Sequence, residues 1–222
     1  MSKIVEPHGG GPLKPLLIPE AQKAEELKRA ESLIKVPMSS REVSDVLMMA
    51  MGAYTPIFGF MDQNDWRGTC IDMALSDGIF WPIPITLSAD IKLAETIREN
   101  EEVALIDGEN GQIMAVMRVT EKYYPDKTLE CSRVFRTTDN AHPGVEKVMK
   151  QGDVNLSGPV TVINEGEFPS LFSNLYIRPA ESRAQFASNG WSDVAAFQTR
   201  NPMHRSHEHL VKIAAEVTDG VF

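Results

Sequence analysis

Apolar residues recur at helical spacing over Ser39–Met51, where Val43, Val46, Leu47, Ala50 and Met51 make one stripe. Ser39 stands in front of it with Glu42 three residues on, the form of a capping box, and Gly52 suits the C-terminal cap. Met48 and Met49 flank the stripe and read as core packing. Ahead of it, Pro19–Leu33 is rich in Ala, Glu, Lys and Leu and predicts an exposed helix, while residues 1–18 read as an irregular arm. Behind it comes an aromatic loop, Tyr54–Met61, then a helix capped by Asp62 and ended by Gly78. Phe80–Leu87 is strand-like, but Pro82 and Pro84 lack amide donors, so an edge strand or extended segment is expected. Val103–Ile106 and Ile113–Val119 flank the turn Asp107-Gly108-Glu109-Asn110-Gly111 and predict a hairpin; Val160–Ile163 predicts another strand.

The tail has a different rhythm. Pro179–Ser188 predicts a helix, with Pro at its first turn and Gly190 just past its end. Val194-Ala195-Ala196-Phe197 reads as a short buried strand. Pro202 to Val217 reads as a second helix whose apolar face is Leu210, Ile213, Ala214 and Val217. Asp219 and Gly220 then turn the chain into Val221-Phe222, the first residues of a further strand. Strand, helix, strand is how a parallel α/β sheet opens. The expected fold class is therefore a small α+β or barrel-like domain over residues 1–167 and the incomplete beginning of an α/β domain over residues 168–222.

Composition narrows the function classes. The 222 residues are 42% hydrophobic and 24% charged, ordinary values for a globular protein, and carry a formal net charge of −9. That charge argues against nucleic acid and anionic membranes as partners, since both reward a basic face. No apolar run reaches the roughly 18 residues of a membrane span. The beginning lacks the basic and apolar regions of a signal peptide. Cys70 and Cys131 form no CxxC pair and no zinc pattern, so a cytoplasmic setting is expected.

Candidate chemistry concentrates in Phe197-Gln198-Thr199-Arg200-Asn201-Pro202-Met203-His204-Arg205-Ser206-His207-Glu208, between a strand and a helix. Ligands of open α/β sheets bind at the carboxyl ends of strands. Asn201 reads as an N-cap and Pro202 as the first helical residue. A helix start offers free amides and partial positive charge, which favour phosphate. His204 and His207 are three apart and share a face. Arg200 presents a planar fork to an oxyanion, and Gln198 adds a neutral amide. No residue is an obvious nucleophile, so direct in-line displacement at phosphorus is preferred to a covalent route. His204, His207, Glu208 and His209 also cluster, but in neither the HExxH nor the HxxEH order, so no metal ligation is expected.

This segment closely resembles the QxRNPxHxxH signature of ATP sulfurylases (sulfate adenylyltransferases). Gly52-Ala53-Tyr54-Thr55-Pro56-Ile57-Phe58-Gly59-Phe60-Met61 is similar to the family's G-x-Y-S-P-L-x-G-F-M segment, and Phe80-Trp81-Pro82-Ile83-Pro84-Ile85 to its W-P-I-P-I run. His142-Pro143-Gly144-Val145 and Gly190-Trp191 match further family elements. Thr55 stands where Ser is usual, and Ser206 where Ala is usual. The resemblance implies a PUA-like N-terminal domain, 1–167, and the start of a Rossmann-like nucleotidyltransferase domain, 168–222. It implies ATP and sulfate as substrates, with adenylyl sulfate and pyrophosphate as products. Gln198 and Arg200 would contact sulfate; Thr199, Arg200 and Asn201 would be catalytic. Gln198, Thr199, Arg200, Asn201, His204 and His207 would line ATP. No cofactor would be tightly bound, Mg2+ arriving as MgATP. The short prokaryotic form, often a homodimer, is the nearest likeness.

The family's later G-R-D-H-A-G segment is not among these residues, so the chain is expected to be an N-terminal fragment, inactive alone. Two other readings stay open: an RNA-binding PUA-type module, which the acidity disfavours, and a nucleotidyltransferase acting on another oxyanion.

Overall fold

The computed structural model describes residues 4–222. The first three residues of the expected N-terminal arm lie outside the described residues. The chain divides into two compact units, Leu13–Tyr176 and a smaller one made of residues 4–12 and 177–222.

The larger unit is built on a curled mixed sheet. Its elements run α1 (Glu20–Ala30), β1 (Ile34–Met38), α2 (Ser40–Ala50), β2 (Gly59–Phe60), α3 (Gln63–Asp72), β3 (Leu87–Ala89), α4 (Ile91–Thr96), β4 (Glu102–Asp107), β5 (Ile113–Arg118), β6 (Glu121–Tyr123) and α5 (Lys127–Glu130). A π-helical turn (Cys131–Phe135), α6 (Pro143–Lys150), β7 (Val154–Val162) and α7 (Phe168–Leu171) follow. The sheet order is β1-β4-β5-β7-β2, with β3 and β6 also paired to β7. Only β1 and β4 are parallel; the other pairs are antiparallel.

Period-two alternation explains why β4 and β5 read as nearly continuous apolar runs. Val103, Leu105, Ala115 and Met117 face the main core beneath α2, with Val36, Val46 and Leu156. Ala104 and Val116 face a second cluster with Ala30 of α1, which Ile113 joins because the β4–β5 register shifts between Leu105 and Ile106. Both faces are covered, so neither strand shows a polar side.

Strand β7 bends at Gly158. Its last residues pair with β5, Gly158 and Pro159 pair with β2, and its first residues pair with β3 and β6. Gly158 has φ +148, a value that side chains rarely adopt, and a Cβ there would strike the Arg118 carbonyl. A Cβ on Gly59 would in turn strike the Gly158 carbonyl.

Helix α2 starts as expected. Ser39 Oγ accepts from the Glu42 amide, and the Glu42 carboxylate accepts from the Ser39 amide. Glu42 is buried, and it is satisfied further by the Ser88 amide at 2.8 Å. One turn on, buried Asp45 accepts from Arg41 at 2.8 Å and from the Tyr54 hydroxyl at 3.0 Å. Tyr54 stands edge-on to Trp81, joining the two loops rich in aromatic residues. Thr55 is buried, its hydroxyl donating to the Gly52 carbonyl and accepting from the Lys14 amide. The His142-Pro143-Gly144-Val145 element is a helix start, in which His142 Nδ1 accepts from the Gly144 amide at 3.1 Å.

Three expectations are corrected. Helix α3 ends at Asp72, not Gly78, because Met73 turns left-handed at φ 54 and the chain doubles back to bury Leu75. Asp65, which the Asp62 cap holds, accepts from the Ser76 amide and fixes that return. The Phe80–Leu87 segment is mostly irregular, with one bridge from Phe80 to Ala74, and the strand there is Leu87–Ala89, beyond both prolines. The strand expected at Val160–Ile163 is the end of a longer one.

No helix among the described residues is long and apolar enough to cross a membrane.

Gly158→Ala is expected to destabilise the chain by about 3 kcal/mol, measurable as a lower urea midpoint, because the bend needs both positive φ and the missing Cβ. A second expectation concerns pH. Burial pushes the Asp45 carboxyl up from an ordinary 3.8 to about 6, against the Arg41 guanidinium and the Tyr54 hydroxyl. Burial raises Glu130 as well, although Trp66 Nε1 donates to it. Both groups hold their proton more tightly folded than unfolded. The stability contributed by Asp45 is therefore full below pH 4 and lost as pH rises through 6, on the order of 3 kcal/mol. Urea melts of Asp45→Asn should show a flatter stability profile across that window than the parent chain.

Candidate functional site

The smaller unit consists of α8 (Pro179–Asn189), β8 (Val194–Ala195), α9 (Arg205–Val217) and β9 (Gly220–Val221), with the arm at residues 4–12. Arg183 donates to the Val5 carbonyl, tying that arm to α8. Helix α8 closes on Gly190, left-handed at φ 72. Trp191 follows and stacks on Phe186, whose other contact is the ring of Phe222. Gly220 lies flat against the Trp191 indole, where a Cβ would collide with the ring.

Strands β8 and β9 are parallel, Val194 opposite Gly220 and Ala195 opposite Val221. The ladder continues through the Phe222 amide to the Ala195 carbonyl at 2.8 Å, and the Phe197 amide to the Phe222 carbonyl at 2.7 Å. At the other end, the Asp219 carboxylate accepts from the Ser192 amide, the Ser192 hydroxyl and the Asp193 amide. These three donors hold the Asp219 carboxyl below its usual range.

The strand expected to be buried at Val194–Phe197 is only half-buried, with Ala196 exposed. The apolar stripe of α9 exists but faces outward: Leu210, Ile213 and Val217 are exposed. A two-stranded sheet with one crossover helix offers too little surface to cover both.

The candidate segment leaves β8 at Phe197. Gln198, Thr199, Arg200 and Asn201 form an exposed turn in which Thr199 Oγ1 accepts from the Asn201 amide at 3.1 Å. Helix α9 then begins three residues later than expected. Its N-cap is His204, extended at φ −131 and ψ 177, rather than Asn201. The Asn201 carbonyl, which would accept the first helical bond from an N-cap, accepts from the Thr199 hydroxyl at 3.2 Å instead. The first helical bond runs from the Glu208 amide to the His204 carbonyl.

His204 and His207 come together. Their ring centroids are 3.9 Å apart, and the His204 amide donates to His207 Nδ1 at 3.3 Å. Phe197 presents its ring edge-on to His207 at 5.9 Å. Ser206 Oγ lies 2.9 Å from His204 Nδ1. Gln198 and Arg200 are exposed on the turn, and neither hydrogen-bonds to an imidazole. Among the described residues, no group of three His, Cys, Asp or Glu side chains could hold a metal ion.

Phe197 and Ser206 are the contacts that sequence reasoning missed. Phe197 read only as strand, and Ser206 only as a small departure from a signature.

The arrangement can bind an anion. The first turn of α9 leaves amides without intrahelical partners, at the positive end of the helix dipole. Two imidazoles stand at that end, and Arg200 lies exposed in the turn before it. Chain direction places all of them just after a parallel strand.

Residues 5–165 match the PUA-like domain family and residues 173–222 match the ATP-sulfurylase family. Sulfate adenylyltransferase of Syntrophobacter fumaroxidans is 57% identical over 100% of this chain and 55% of its own length. Those of Thiobacillus denitrificans and Chlorobaculum tepidum are 54% and 55% identical, each covered over 54% of its length. The chain thus spans about half the length of the curated relatives it matches. Among solved structures, the hexameric APS kinase from Thiobacillus denitrificans aligns with TM-score 0.72 and 31% identity, over 96% of this chain and 38% of that one.

If Asp219 holds the strand ends in register, Asp219→Ala should expose the Ser192 and Asp193 amides. Hydrogen exchange at those two positions is expected to approach the unprotected rate, while the α8 amides stay protected.

Proposed function

This chain belongs to the ATP-sulfurylase family, and on that premise we propose that its 198–207 segment forms the substrate side of a sulfate adenylyltransferase site. A sulfate oxygen attacks the α-phosphorus of ATP in line. The bond from that phosphorus to the β-bridging oxygen breaks, and pyrophosphate leaves with the electron pair. Sulfate is already an anionic nucleophile, so no general base is required. What the protein must supply is alignment and positive potential.

The roles follow from chemistry and position. Arg200 and Gln198 hold sulfate, the first by a bidentate fork and the second by a neutral amide. Thr199, Arg200 and Asn201 act at the reacting centre, and with Gln198 they run along the ATP. His204 and His207 take the β- and γ-phosphates and stabilise departing pyrophosphate. Mg2+ enters with ATP, and no metal is held by the protein itself. We read β8–α9–β9 as the opening of a Rossmann-like sheet, with the site at its carboxyl end. The protein is taken to work in the cytoplasm as a homodimer.

The observation that carries this reading is the imidazole pair at the start of α9, ring centres 3.9 Å apart and tilted by 33°, directly after the exposed Gln198–Asn201 turn. The high identity to sulfate adenylyltransferases supports sulfate over other oxyanions.

The test uses the chain extended to the length of its relatives, with ATP, sulfate and pyrophosphatase. Arg200→Ala should lower phosphate release by about 10²–10³-fold. Arg200→Lys should recover little, because an ammonium lacks the planar fork. Parent-like turnover in Arg200→Ala would remove the assigned role.

A further inference from the structure

Ser206 sits between the two imidazoles in sequence, on the first turn of α9. Its Oγ is 2.9 Å from His204 Nδ1. His207 Nδ1 accepts the His204 amide, so that nitrogen carries no proton, and the neutral ring bears its proton on Nε2. The state of His204 depends on which way the hydroxyl bond runs. If Ser206 donates, the His204 proton sits on Nε2 and that nitrogen becomes a donor. If Ser206 accepts, the proton sits on Nδ1 and Nε2 becomes a lone pair, which repels a phosphate oxygen.

Resting on the phosphate-site reading above, we propose that Ser206 is a positioning residue whose hydroxyl donates to His204 Nδ1. It holds the His204 ring against His207 and commits both imidazoles to present Nε2–H to the anion. The two rings then share one tautomer by two different devices: a backbone amide for His207 and a side-chain hydroxyl for His204. Helix propensity does not explain the serine, since alanine is the better helix former at an exposed position. Its hydroxyl has a partner, and the partner is the ring whose proton matters.

The test compares ring-nitrogen NMR spectra of the 15N-labelled chain at alkaline pH, with His204 assigned by its loss in His204→Gln. The parent chain should show His204 as Nε2–H. In Ser206→Ala the Nδ1–H fraction of His204 should rise about threefold, as expected for losing one hydrogen bond. Ser206→Thr, which keeps the hydroxyl, should restore the parent pattern, while helix content by circular dichroism stays equal in all three. An Nδ1–H tautomer at His204 in the parent chain, or no difference in Ser206→Ala, overturns the proposal. Pyrophosphate is then titrated into the parent chain, where both Nε2 signals should shift. Absence of that shift overturns the phosphate-site reading, whereas the tautomer comparison decides the role of Ser206 on its own.

Discussion

The close approach of two backbones at Gly59 and Gly158 is the constraint on which the larger unit rests. A side chain at either residue would meet a carbonyl oxygen, and Gly158 also carries the positive φ that lets β7 change direction. The bend lets one strand pair with β5 at one end and with β3 and β6 at the other. Without it, the sheet could not curl, and the apolar sides of β4 and β5 would not be closed off by α2 on one face and α1 on the other. Two glycines thus decide where most of the buried side chains go.

The smaller unit solves a related problem with fewer residues. It has one short parallel pair and no deep core, so its strand ends are fixed by particular contacts. Asp219 gathers three donors at one end. At the other, Phe186 stacks on Trp191 and meets Phe222 edge-on, and Gly220 makes room for the indole. These contacts set the point at which Phe197 leaves the ladder. The turn that follows and the late start of α9 then place the imidazoles. Fixing the strand ends is therefore the first step in placing the site.

How much of this was legible in the sequence depends on how local each signal is. The Ser39 capping box, the hairpin around Gly108–Gly111 and the helix that starts at Pro179 and closes before Gly190 are each specified within a few residues, and each is found. The HxxH spacing also brought His204 and His207 together as read. Signals failed where a distant contact decided the outcome. The first half of β7 hides behind Asn155 and Ser157, polar residues that are buried because β3 and β6 lie alongside, and behind the strand breakers Gly158 and Pro159, which pair with β2. Helix α3 stops early because Leu75 has a core to enter. The start of α9 moved for a local reason: Asn-Pro has the form of a cap, but the Thr199 bonds to Asn201 and the His204 amide bond to His207 compete with it. The exposed stripe of α9 shows the reverse limit: periodicity reports that a face is apolar, not that anything covers it.

Net charge was the weakest guide to the site, and the reason is geometric. The chain as a whole carries −9, yet residues 197–207 contain Arg200 and Arg205, two histidines and no carboxylate. The next acidic residue, Glu208, is paired with Lys212 at 2.6 Å. Exposed charges more than about 10 Å apart are largely screened at ordinary salt, so an anion approaching this turn responds to the local set and to the helix end rather than to the distant acids. An acidic protein can therefore hold a site for polyanions without contradiction. The same argument explains why the acidity still counts against nucleic acid: a long polyanion spans many screening lengths and meets the rest of the surface, whereas a short one meets only the turn.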